Sequence, residues 1–135
     1  MTLAFEYLEI RPCIYLDDDD VMSYTDEISF ELARSGLSAD DATFSTGWAI
    51  YGRYADEAGQ FLTLAIGDFS TKEGAFAVMD AILAPLAKAR DELAEANRNF
   101  SLDDPVKRRA YLTAIMDVHN DLDDFINQSS NRTRL

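Results

Sequence analysis

The chain is predicted to fold as an α+β domain: a small antiparallel sheet of about three strands, helices packed on one face, and an antiparallel helix pair at the C-terminal end. Three observations predict it. Apolar residues alternate with period two near residues 3–16, 47–54 and 60–69, the spacing of strands. Apolar residues recur every three or four positions near residues 19–35, 70–97 and 101–127, the spacing of helices. The 135 residues are 47% hydrophobic and 11% aromatic, enough for one core without staples. Residues 1–127 read as a single α+β domain, and the polar stretch 128–135 reads as a frayed tail.

In the first strand, Leu3, Phe5 and Tyr7 alternate with Ala4 and Glu6. Pro12 cannot donate to a ladder, which predicts a sheet edge or a break there. Asp17, Asp18, Asp19 and Asp20 then offer N-caps and favourable charge for a helix start. Val21, Tyr24, Ile28 and Leu32 follow on one helical stripe, and Gly36-Leu37 resembles a Schellman stop. Residues 38–46 read as a loop.

Trp48, Ile50 and Tyr54 share one face of the next strand, with Tyr51 and Arg53 on the other. Leu62, Leu64 and Ile66 share a face of its neighbour, and the five residues 55–59, ending in Gly59, connect the two as a hairpin. Ser70-Thr-Lys-Glu73 has the form of a capping box. The helix after it carries Phe76, Met79, Leu83, Leu86 and Leu93 on a stripe, and Pro85 predicts a kink or break near Ala81 to Ala84. Asp103 and Asp104 ahead of Pro105 open the last helix, whose seam is Tyr111, Ile115, Val118, Leu122 and Phe125.

Charge is the feature with a bearing on partners. Residues 1–70 hold fourteen acids against Arg11, Arg34 and Arg53, a balance of −11. Residues 71–135 hold eleven acids against nine bases, so the total is −13. Such a field repels nucleic acid and anionic membranes and attracts basic protein surfaces. The Lys107-Arg108-Arg109 cluster is too small to reverse that. Cys13 is alone, which excludes an internal disulfide and suits a reducing compartment; the acidic N-terminus does not resemble a secretory signal, and no apolar run is long enough for a membrane helix. A cytoplasmic setting is expected.

Motifs for chemistry are weak. Cys13 and His119 are the only thiol and imidazole, and nothing local marks either as activated. His119 and Asp123 lie four apart on a helix, but a closed zinc site wants further His or Cys. The Asp17–Asp20 run fails as an EF-hand, because Ile28 stands where the twelfth-position Glu belongs. No glycine pattern fits a phosphate loop or dinucleotide fingerprint, so no cofactor and no metal is expected.

Four aspartates in a row exceed what a helix cap needs, and uncancelled charge favours steering over stability. The expected function is therefore a non-enzymatic acidic binding or inhibitor protein, with no catalytic residues. Its partner would be a basic protein surface, such as a nuclease or another nucleic-acid-handling complex, which the carboxylates engage in imitation of phosphates. The candidate partner-binding residues are Asp17, Asp18, Asp19, Asp20, Asp26, Glu27, Glu31, Asp40 and Asp41. An anti-defence or immunity-type role in a phage or mobile element is the matching biological setting, prompted only by the lack of enzyme motifs. Two alternatives stand beside it. One is a small enzyme or ligand-binding domain with a pocket lined by Trp48, Tyr51, Arg53 and Tyr54. The other is a structural subunit that forms a homodimer through its last helical seam.

Overall fold

The computed structural model describes residues 5–17 and 20–132. The elements are β1 (Tyr7–Asp17), β2 (Asp20–Ser23), α1 (Glu27–Ala39), β3 (Ser45–Ala55), β4 (Phe61–Phe69), α2 (Lys72–Asn99) and α3 (Pro105–Arg132). The four strands form one antiparallel sheet in the order β2-β1-β3-β4. The α+β class is as the sequence predicts, with one strand more.

Pro12 lies inside β1, which is a central strand and unbroken. The reason is directional. The Pro12 carbonyl points away from β3 and accepts the Tyr24 N–H at 3.0 Å. The proline nitrogen points the same way, just past Ser23, the last residue of β2. The missing donor therefore falls where the β1–β2 ladder ends.

The segment predicted as the first turns of a helix is instead β2, whose Val21 and Met22 sit opposite Tyr15 and Ile14. The helix begins eight residues later than predicted, because the Asp26 carboxylate caps it, accepting the Ser29 N–H at 2.7 Å. It also runs through Gly36. The stop is a Schellman motif one turn on: Ala42 N–H reaches the Leu37 carbonyl at 3.0 Å and Asp41 N–H the Ser38 carbonyl at 3.2 Å. Asp41 takes the left-handed position, φ 54°, that a glycine usually fills.

Leu8 and Ile10 of β1 and Ile50 of β3 meet Ala75 and Met79 of α2 and Phe125 of α3. Trp48, on that same face, meets Phe30 of α1. All three helices thus cover one face of the sheet. In the β3–β4 hairpin the Asp56 carboxylate accepts the N–H groups of Ala58 and Gln60, both at 2.9 Å, and Gly59 supplies the positive φ of 81°. Gly47 is required by close approach, since a Cβ there would lie 2.8 Å from the Phe69 carbonyl oxygen.

Thr71 rather than Ser70 caps α2, accepting the Gly74 N–H at 3.0 Å. The helix does not break at Pro85. Pro85 and Ala81 both lie on the exposed side, so water can satisfy the carbonyl that proline leaves without a donor. Asp104 caps α3 with Pro105 at its first position. Helix α3 continues through 128–132, beyond the point where polar composition predicts fraying. Ser129 is fully buried there, and its hydroxyl accepts the Leu8 N–H at 2.9 Å, covering the stretch of β1 that β2 does not reach. The helix is held at that end by a bond to the sheet.

Candidate functional site

Two stripes compete on α1. Phe30, Ala33 and Leu37 turn inward, and Phe30 is 7% exposed against Tyr24 and Trp48, with ring centroids 6.1 and 6.4 Å away. Ile28 and Leu32, predicted to face the core, are instead 76% and 71% exposed. The aromatic anchor decides the helix's rotation, because one large ring buries more apolar area than either aliphatic residue. The outward pair lies in a shallow depression with Glu27, Glu31 and Ser35. With Val21 and Met22 of β2, this twelve-residue stretch of chain exposes four large apolar side chains.

Five of the nine candidate carboxylates lie on α1 or at its two ends. Asp26 caps the N-terminal end of α1, and hydrogen bonds from the Ser29 N–H and hydroxyl hold its carboxyl below the ordinary value. Glu27 pairs with Lys72, whose ammonium also lies over the Trp48 ring at 5.2 Å. Glu31 pairs with Arg34 at 2.6 Å. Asp40 and Asp41 sit beyond the other end of α1, ~20 Å away by helical rise over thirteen residues. Asp20 opens β2 and is exposed, and Asp17 closes β1 opposite it. Asp18 and Asp19 lie outside the described residues. The structure thus strings Asp26, Glu27 and Glu31 along the start of α1, leaves Asp40 and Asp41 at its far end, and ties three of the nine into contacts within the chain.

The sheet face turned away from the helices holds a second polar group. Glu9 is buried and pairs with Arg11 at 2.8 Å and Arg53 at 3.6 Å. Arg53 also donates to the Tyr7 hydroxyl at 3.2 Å and the Thr63 hydroxyl at 2.7 Å. Cys13 is fully buried beside the Tyr51 hydroxyl, 3.6 Å away, and burial pushes its thiol up, the wrong direction for a nucleophile. Tyr15 donates to Asp68 at 2.8 Å, and burial with that bond holds its phenol far above the ordinary value. Two of the three bases in residues 1–70 are thus drawn onto this face, and the third, Arg34, is held by Glu31. At the start of α1, Arg34 and the more distant Lys72 offset Glu31 and Glu27, and Asp26 is left without a basic partner among the described residues. Sequence reasoning missed this convergence; the only available signal was that Glu9, Arg11 and Arg53 all fall on the polar parity of their strands.

Trp48 and Tyr54 share the helix-covered face, whereas Tyr51 and Arg53 share the opposite one, so the four do not line one pocket. His119 sits beside Asn120, and Asp123 is taken by Arg90 at 3.0 Å. Among the described residues no group of three or more His, Cys, Asp or Glu side chains could hold a metal ion, and no helix is long and apolar enough to cross a membrane. Comparison with family models, curated proteins and solved structures returns no match to this chain.

Proposed function

We propose that the chain is a non-enzymatic acidic binding protein that docks through α1 on a basic surface of another protein. The observation that carries this reading is the exposure of Ile28 and Leu32 beside Glu27 and Glu31 in one shallow depression. An apolar pair one turn apart gives desolvation energy, and the surrounding charge gives steering and register. Ile28 and Leu32 adjoin on one helix face, and contiguous rather than scattered apolar exposure is what marks an interaction surface. The partner's chemistry follows: an apolar depression edged by Lys or Arg. A nucleic-acid-handling protein fits that description, since its own ligand demands a basic groove.

A photo-crosslinker placed at Ile28 and expressed in the source cells tests the proposal. The expected product is a covalent adduct with a basic protein, formed at low salt and suppressed at ~1 M salt, where exposed charges are screened within ~3 Å. The paired change Ile28→Asp and Leu32→Asp should abolish affinity capture of that same protein, with the fold intact because both side chains are already in water. An adduct undiminished at high salt, or capture unaffected by the paired change, would overturn the reading.

A further inference from the structure

We infer that the outer edge of β4, which no other described strand pairs with, joins β4 of a second copy and makes two sheets into one of eight strands. The directions of the backbone groups lead to this. The Leu8 N–H leaves β1 on the side away from β3, toward Ser129. Leu8 stands opposite Gly52, so that pair exchanges no hydrogen bonds, and the Gly52 backbone groups face β4. Leu64 stands opposite Gly52 and faces inward in turn. Thr63 and Ala65, one step to either side, therefore point N–H and C=O out from the sheet edge. Arg53 holds Thr63 in place through its hydroxyl.

Edges are normally blunted by charge, proline or shortness. The β2 edge has two of these devices, being four residues long and beginning with Asp20. The β4 edge spans nine residues, and the stretch 58–67 contains no ionisable side chain and no proline. Thr63, Leu64, Ala65 and Ile66 are all exposed, Leu64 at 54% and Ile66 at 43%. Two devices stand only at the far end of β4: Asp68, whose carboxylate accepts a bond from the Tyr15 hydroxyl, and a bulge where Ile66 slips against β3; they set where a new ladder stops rather than preventing one.

Two arguments select a second copy as the occupant. First, the chain carries −13, and this uncharged stretch lets two copies approach without setting carboxylate against carboxylate. Second, the register is self-complementary. A two-fold axis at Leu64 sets Leu64 against Leu64, and Thr63 of each copy exchanges both backbone bonds with Ala65 of the other. Non-hydrogen-bonded pairs bring side chains closest, so the two Leu64 side chains gain the most contact.

Sedimentation of the full chain across micromolar to millimolar concentration should show a mass rising from 15.1 kDa toward twice that value. Added salt should strengthen the dimer by screening the like charges of the two copies. Ala65→Pro removes a donor that points outward and leaves the β3 ladder whole; it should raise the dissociation constant at least about tenfold, as should Leu64→Lys. Amide exchange on the unaltered chain reads the interface directly. The Thr63 and Ala65 amides should become protected as concentration rises. A chain that stays monomeric throughout, or one that dimerises while both amides stay unprotected, overturns the inference.

Discussion

Tyr51 shows how one side chain reports its surroundings. Burial, with the Cys13 thiol at 3.6 Å, pushes its phenol up to about 12. An unfolded chain releases that proton near ~10, so the folded state holds it longer. The contribution to stability is complete below the unfolded value and is lost as pH rises from there through about 12. A tyrosinate absorbance step near that upper value, absent from Tyr51→Phe, is the expected result. The same step at the ordinary phenol value in the folded chain would show that the hydroxyl is solvated. Arg11 lies over the Tyr51 ring at 6.0 Å, so this tyrosine also joins the thiol to the Glu9 ion pairs.

Helix α1 carries the clearest stability argument at the scale of an element. Its Schellman stop places Asp41 at φ 54°, where an L side chain meets its own backbone. Asp41→Gly should therefore stabilise the fold by ~0.5–1 kcal/mol and raise the melting temperature by about 2–4 °C, read by thermal denaturation. Destabilisation would mean that the carboxylate does more than occupy the turn. The same helix shows where sequence reading works and where it stops. The β3–β4 hairpin was legible because alternation, loop length and Gly59 agree locally. The caps of α2 and α3 were legible within one residue, because Thr71 and Asp104 act on amides two or three positions away. The start of α1 was not. Val21, Tyr24, Ile28 and Leu32 fit a helical period, whereas the pairing that makes 20–23 a strand comes from residues 13–17, through a register no local pattern reveals. The outward turn of Ile28 and Leu32 was hidden for a related reason. Periodicity finds both stripes of α1, and only the distant Trp48 ring selects the one holding Phe30.

For the whole molecule, the lopsided charge sets two responses to salt that run in opposite directions. The chain holds −13, and the ion pairs on its helices, such as Lys88–Glu92 and Arg34–Glu31, are exposed and weak. Self-repulsion of the compact state therefore outweighs the attraction that salt would screen. Raising ionic strength from about 0.01 M to about 0.15 M shortens the screening length from ~30 Å to ~8 Å, less than the length of α1. The melting temperature should rise over that range, while the proposed association with a basic partner through α1 should slow. One salt series, with stability read by circular dichroism and association by stopped flow, measures both responses on the same protein. A melting temperature that falls with salt would place the fold's support in its ion pairs. The surplus carboxylates would then be structural, and the case for α1 as a charged docking element would go with them.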